Sequence, residues 1–389
     1  MHNYERKLLT AGGVFVFFLF RFGPIAIQQA ILVRQHGDAL DYVVDHPVPT
    51  LKEGHVLVKN KFAGLNFIDT YYRKGLYKKP LPFVSGQEGG GVVVATFSSG
   101  TCKSDKHNKQ DTADNNDNDA AVVKVGDVVA YMAMGSYAEY TLVPLDKLVK
   151  VPEGMSLEVA IAAMVQGLTG HYLAMSAHAN LIQPNQWCLI YSVASGTGKW
   201  TAQIAKQLGG YRVIGTCSKS KNADQATSIC DELIVLDTVE GGDKSYSDYG
   251  SVDMVSRIME ITSGVGCDAV MDGVGRATAE TSLAVLAPRG IWISFGNASG
   301  PVPDLSPLRL SPKSAFLTRP KLGDYITTRQ ELQQRWDQLS QWIVQQQDDE
   351  TTTLPIQIDI DCKFPLAKAW EGHLYIEGGH TKGKVLFEM

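Results

Sequence analysis

None of the sixteen prolines of this chain falls between Asn185 and Ala287, and that gap limits what the middle of the chain can be. Proline removes a ladder donor and breaks helix interiors, so a long stretch without it can be continuous regular structure. In and just beyond the gap, short apolar runs alternate with amphipathic ones. They are Trp187–Tyr191, Thr201–Leu208, Arg212–Thr216, Glu232–Leu236, Val252–Ile261, Ala269–Met271, Ala277–Leu286 and Gly290–Phe295. That alternation predicts βαβ units and a parallel sheet with helices on both faces, a doubly wound domain of nucleotide-binding type in an α/β protein.

The flanks read differently. Val56–Lys61, Gly91–Thr96, Val128–Met132 and Tyr137–Pro144 are β-rich runs separated by Gly, Pro and charge, as in an antiparallel barrel-like domain. After Pro320 the pattern predicts a helix over Thr328–Gln345, a strand over Leu354–Ile360, a helix over Leu366–Ile376 and a strand over Lys384–Phe387. No second βαβ set appears there, so this tail can return to the first domain, with the nucleotide domain as an insertion. The expected division is 27–155 for the β-rich domain, 156–318 for the doubly wound domain and 319–389 for the return. Residues 98–121 hold five Asp, three Lys and four Asn with hardly any apolar residue, and read as a disordered surface loop inserted between two strands. Residues 1–26 carry Arg6 and Lys7 ahead of an apolar stretch that Arg21 ends short of a membrane span. They read as an extension outside the fold, with a targeting segment as the alternative.

The charge balance is 36 basic against 41 acidic residues, a net −5, and gives no reason to expect a nucleic-acid partner. Six cysteines without C-x-x-C spacing exclude a disulfide scaffold and favour a reducing, cytoplasmic setting, with an organelle as the alternative should residues 1–26 be a targeting segment. The cysteines are scattered and the histidines form no H-E-x-x-H or related pair, so no metal site is expected.

The turn after the first strand of the gap, Ser192-Val193-Ala194-Ser195-Gly196-Thr197-Gly198-Lys199, carries the chemistry. Small residues leading from a strand into a helix let backbone N–H groups and the helix N-terminus approach a pyrophosphate. The G-x-G-x-x-G fingerprint is imperfect, since Thr201 stands at its last position, and Val193 excludes a P-loop. Ser195, Gly196, Thr197 and Gly198 are therefore the candidate phosphate cradle. An acid at the end of the second strand would select NAD through the ribose 2′-hydroxyl. Gly209 through Ala223 contain none, and Ser218, Lys219 and Lys221 suit a 2′-phosphate instead, which favours NADPH over the plainer reading of a solvated basic helix start.

The run Gly64-Leu65-Asn66-Phe67-Ile68-Asp69-Thr70-Tyr71-Tyr72-Arg73-Lys74-Gly75-Leu76-Tyr77 resembles the signature of the zinc-free, zeta-crystallin-like quinone oxidoreductases of the medium-chain dehydrogenase/reductase superfamily. The likeness continues through Ser85 to Gly91, Gly135 to Tyr140, Gln166 to Thr169, Asp272 to Gly275, Ser294 to Gly300, Thr318 to Pro320 and Thr381 to Lys384. It implies a GroES-like catalytic domain, a Rossmann-type cofactor domain and a cleft between them. It implies reduction of a quinone or related conjugated carbonyl by NADPH without metal, since Gln87 stands where zinc-binding relatives have His. The alternatives are an alkenal or enoyl reductase of the same fold, and a weakly catalytic NADPH-binding protein with a structural or sensor role. By the same resemblance, Asn66, Asp69, Tyr71 and Tyr77 are expected at the catalytic end, with Asn66, Thr169, Gly273, Phe295 and Gly296 around the cofactor. Ser195, Asn222, Asp237 and Gly379 depart from the family pattern, each in a way that weakens the phosphate sites. A homodimer is implied as well, with Gly290–Phe295 near the pairing edge.

Overall fold

The computed structural model describes residues 26–97, 123–218, 223–236, 247–348, 356–379 and 381–389. The extension at 1–26, apart from its last residue, and the loop at 98–121 lie outside these residues, as do Lys219, Lys221, Asn222 and Asp237.

The chain opens with β1 (Ile27–Val33), β2 (Asp41–Pro47), β3 (His55–Leu65), α1 (Phe67–Lys74), β4 (Phe83–Val84), β5 (Glu88–Thr96), β6 (Val128–Met132), β7 (Tyr140–Pro144) and β8 (Leu148–Lys150). β3 is the organising strand of this part, because it is antiparallel to both β5 and β7. Its exposed Lys59 and Lys61 alternate with buried Val58, Asn60 and Phe62, the period-2 pattern of a strand packed on one face.

α2 (Leu157–Ala162) starts at the N-cap Ser156, whose hydroxyl accepts from the Val159 N–H at 3.2 Å. A π-helical turn over Ala163–Gly167 then leads into α3 (Leu168–Met175). The proline gap follows as β9 (Trp187–Ile190), α4 (Gly196–Gln207), β10 (Arg212–Ser218), α5 (Ala223–Ser228), β11 (Glu232–Leu236), α6 (Met254–Ile261), β12 (Cys267–Asp272), α7 (Ala279–Ala284), β13 (Leu286–Ser294) and β14 (Phe316–Thr318). These six strands are parallel, in the order β11-β10-β9-β12-β13-β14. From β9 the chain winds outward to β11, then crosses back to β12 and winds the other way. The switch between β9 and β12 opens the crevice at the carboxyl ends of the strands where doubly wound sheets bind ligands. β13 lies one strand in from the edge, since β14 pairs with it and takes the outer position.

The tail contains α8 (Arg329–Asp348), β15 (Ile360–Pro365), α9 (Ala369–Glu377) and β16 (Lys384–Glu388). β16 lies antiparallel to β3, with Phe387 opposite Ala63, so the last strand of the chain rejoins the first large sheet. The strand expected over Leu354–Ile360 instead begins at Ile360. Ile356 and Ile358 alternate as a strand would, but they pack against the core of the doubly wound sheet, while the backbone of Gln357 bonds the Gln203 side chain. An extended connector between two bodies gives the same apolar alternation as a strand, so periodicity alone did not separate them.

One hydrophobic cluster joins the two bodies. It includes Phe62, Ala130 and Val149 from the first sheet, Ile190 and Ile293 from the second, and Leu332, Trp336 and Leu339 from α8. α8 packs on α3 and on the turn before β8, and so straddles the boundary. Trp336 is only 2% exposed. Trp336→Ala is expected to lower unfolding stability by ~3–5 kcal/mol, read from the denaturant midpoint at unchanged slope.

Candidate active site in the crevice between the sheets

The turn between β9 and α4 is shaped by backbone needs. Ser192 has a φ of 57°, a left-handed conformation, and its N–H is held by Thr216 Oγ1 at 2.9 Å. Ser195 is the N-cap of α4, yet its hydroxyl donates back to the Ser192 carbonyl at 2.8 Å and makes no cap hydrogen bond. The leading N–H groups of α4, at Gly196, Thr197 and Gly198, thus receive nothing from the N-cap side chain and stay available to an anion. A Cβ at Gly198 would collide with the Ser192 carbonyl, so glycine is required there for the helix to start this close to the turn. Gly196 faces the buried Gln166 amide, and Thr169 is half-buried on the neighbouring α3. The cradle expected from the sequence is assembled, and this donor set fits a pyrophosphate.

The loops after β12 and β13 stand beside this turn at the carboxyl ends of the same parallel sheet. Asp272 is fully buried and accepts from the N–H groups of Val274 and Gly275 and from the hydroxyls of Thr278 and Ser282. Burial raises its pKa, and those donors oppose the rise. Gly273 has no Cβ because the Phe295 ring occupies that space. Arg319 donates to the carbonyls of Ser294 at 2.6 Å and Gly296 at 3.0 Å, and so clamps the second loop. From that loop the Asn297 N–H reaches the Tyr71 hydroxyl of α1 at 3.2 Å, a hydrogen bond across the crevice.

Tyr71 belongs to a cluster with Tyr77 and Tyr72, at ring-centre distances of 5.4 Å from Tyr71 to Tyr77 and 5.6 Å from Tyr72 to Tyr77. Burial pushes the Tyr71 hydroxyl up to about 12, so it stays protonated and able to donate at neutral pH. Asn66, the N-cap of α1, is held by a buried ion pair. Its Nδ2 donates to Glu88 Oε1 at 2.8 Å, and its Oδ1 accepts from Lys384 Nζ at 2.9 Å. Lys384 also pairs directly with Glu88, both essentially without exposure, and Glu88 Oε2 accepts the Val165 N–H of the π-helical turn at 2.6 Å. With an ammonium on one side and a carboxylate on the other, the amide of Asn66 has one orientation. Its second amide hydrogen is the position left for a ligand, on a residue only 4% exposed.

Asp69 is a different case from its neighbours. Its Oδ2 accepts from the Asn66 N–H and from the Tyr137 hydroxyl, both at 2.8 Å, and the residue is 1% exposed. Through Oδ2 it anchors the start of α1, while its Oδ1 is buried without a hydrogen-bond partner. Burial pushes its carboxyl up to about 7, against the lowering effect of those two donors.

At the far end of the turn, Ser218 closes β10 as expected, but its hydroxyl donates to the carboxylate of Asp248. An acid therefore does stand at this strand end, although Gly209 through Ala223 contain none. Asp248 comes from the short helical turn Ser247–Gly250 beyond β11, outside the stretch where the sequence pattern puts a ribose-binding acid. The next residue, Tyr249, bonds Ser192 Oγ at 3.0 Å and Thr216 Oγ1 at 3.3 Å. Glu88, Lys384, Arg319, Asp248 and Tyr249 are the residues whose roles sequence reasoning missed. Glu88, Arg319 and Lys384 each stood in a run that carried the family likeness, whereas Asp248 and Tyr249 stood in none. Among the described residues no group of three or more His, Cys, Asp or Glu is placed to hold a metal ion.

The GroES-like domain of alcohol dehydrogenases matches residues 52–153, and the zinc-binding dehydrogenase family matches residues 196–345. A quinone oxidoreductase of Pseudomonas aeruginosa is 36% identical, with 89% of this chain and 93% of the relative covered. The chain belongs to the quinone oxidoreductase family of the medium-chain dehydrogenases/reductases. The crystal structure of the Escherichia coli quinone oxidoreductase complexed with NADPH superposes with a TM-score of 0.77 at 33% identity, covering 93% of this chain and 100% of that one. A 2-haloacrylate reductase of a Burkholderia species is 30% identical, with 86% of this chain and 90% of the relative covered. Gly86-Gln87-Glu88 therefore lies within a family fold, and Glu88 there pairs with Lys384.

Two outcomes follow from this network. Lys384→Met leaves the buried Glu88 carboxylate without its cation and is expected to cost ~3–5 kcal/mol in urea unfolding. Adding Glu88→Gln should recover most of that loss. For Asp69, the folded pKa of about 7 stands above the ordinary 3.8, so its contribution to stability is complete below about pH 4 and is lost as pH rises towards 7. Thermal melts should accordingly show Asp69→Asn gaining on the unsubstituted protein between those pH values. A constant difference across the range would contradict it.

Proposed function

We propose that this protein reduces a quinone, or a similarly conjugated carbonyl, at the expense of NADPH and without a metal. The observation that carries this reading is the pairing of the uncapped α4 N-terminus, on one side of the crevice, with the tyrosine wall of α1 on the other. The solved relative's NADPH complex and the family membership support it. When bound, the dinucleotide supplies the hydride. The N–H groups of Gly196, Thr197 and Gly198 would hold the pyrophosphate, with Gly273, Phe295 and Gly296 beside them. Thr169 and the remaining amide hydrogen of Asn66 would orient the carboxamide end. Tyr71 and Tyr77 offer flat faces to an acceptor ring, and the protonated Tyr71 hydroxyl, which accepts from the Asn297 N–H and keeps its own hydrogen free, can donate to the acceptor oxygen as charge develops there. We assign Asp69 to positioning α1, with no direct part in the chemistry.

The division at 27–155, 156–318 and 319–389 is adopted as the working domain scheme, with α8 as the shared element. Homodimerisation through the outer edge of the doubly wound sheet fits β14, where Phe316 and Leu317 are exposed. Among the described residues no helix is long and apolar enough to cross a membrane, and no disulfide is formed, which accords with a reducing compartment such as the cytoplasm. The 2-haloacrylate reductase relative supports a second reading, reduction of an activated alkene.

NADPH oxidation with phenanthrenequinone, set beside 2-chloroacrylate and a plain binding titration, tests the assignment. Turnover with the quinone should exceed that with the alkene and should survive exhaustive chelation. NADPH binding without turnover of either acceptor would overturn the catalytic reading, and loss of activity restored by zinc would overturn metal independence.

A further inference from the structure

The carboxylate of Asp248 is placed where no element of the proposed reaction uses it. Its Oδ2 accepts from the Ser218 hydroxyl at the end of β10. Its Oδ1 is buried and has no hydrogen-bond partner. A buried carboxylate oxygen without a donor is an unmet acceptor, and such groups call for an explanation by a missing ligand, ion or water. The turn that carries it is held in place. Ser251 donates to the Asp248 carbonyl through its N–H at 3.0 Å and its hydroxyl at 2.6 Å. Tyr249 packs edge-on against Tyr191 at 5.6 Å and bonds both Ser192 and Thr216. The acid is thereby fixed to the same backbone turn whose far side offers the uncapped N–H groups of α4.

We propose that Asp248 is the specificity-determining residue for the adenosine half of the cofactor, accepting a hydrogen bond from a ribose hydroxyl and disfavouring a phosphate ester at that position. In doubly wound domains an acid at the end of the second strand serves the 2′-hydroxyl of an unphosphorylated dinucleotide. Here the strand end itself supplies Ser218, and the acid arrives from the connection after β11. A ribose hydroxyl can donate to Oδ1, whereas a 2′-phosphate is mostly dianionic at neutral pH and brings like charge against the carboxylate. The consequence is a protein that accepts NADH beside NADPH. This rests on the dinucleotide reading of the crevice, but not on the identity of the acceptor.

Calorimetric titration with ADP-ribose and with 2′-phospho-ADP-ribose tests it, since neither ligand carries the nicotinamide and neither needs turnover. The unsubstituted protein should bind the two within about tenfold of each other. In Asp248→Asn, ADP-ribose should weaken and the phosphorylated ligand tighten, moving their ratio by about tenfold or more. An unchanged ratio in that variant overturns the proposal, whether both affinities stay the same or fall together. Should the variant not fold, the unsubstituted protein still decides the matter, because a preference for the phosphorylated ligand beyond about a hundredfold overturns it. Failure of both ligands to bind would instead remove the dinucleotide reading itself.

Discussion

The ion pair between Glu88 and Lys384 holds together the parts of this molecule that must meet at the crevice. Glu88 begins β5, Lys384 begins β16, and both lie in the interior with Asn66 between them. Two charges removed from water are tolerable only if each is paired and its remaining hydrogen-bonding capacity is met. Here Glu88 takes a third donor from Val165 in the π-helical turn, and Lys384 also donates to the Leu65 carbonyl at 3.2 Å. The requirement to satisfy these charges fixes the last strand against β3, the start of α1 and the bend between α2 and α3 at once. The crevice inherits its geometry from that solution.

The cofactor side solves a similar problem with one acid. Asp272 gathers two backbone N–H groups and two hydroxyls, which turns the chain sharply after β12 and lets Phe295 pack over Gly273. Arg319 then spans to the carbonyls of the neighbouring loop. The two walls touch through Tyr71 and Asn297, a single neutral hydrogen bond. Such a bond is worth about 0.5–1.5 kcal/mol, weak enough for a ligand to replace it.

Much of the site was legible in the sequence because its pieces are local. Ser195 through Gly198 form one turn, Asn66 through Tyr77 form one helix and its exit, and Gly273 and Phe295 follow consecutive strands of the switch. Their chemistry followed from small residues after a strand and from aromatic residues at helical spacing. Asp69 shows the limit of that reading. Its place three residues after an N-cap suits either a capping acid or a catalytic one, and the structure shows Oδ2 capping α1 with Oδ1 left without a partner. The strand expected at Leu354–Ile360 failed for a related reason, since apolar alternation records burial on one face and not hydrogen bonding to a neighbour.

By itself the sequence determined the order of elements, the parallel sheet in the proline gap, the dinucleotide turn and the aromatic helix. All of these depend on contacts within a few residues or on the periodicity with which side chains face a core. Only the tertiary structure decided which charges meet. Glu88 and Lys384 are separated by 296 positions, and Asp248 and Ser218 by 30. No local pattern marks such pairs, because the cost of burying a charge depends on what surrounds it in space. Asp248, which no sequence pattern singles out, becomes beside Ser218 a carboxylate with a buried and unpartnered oxygen.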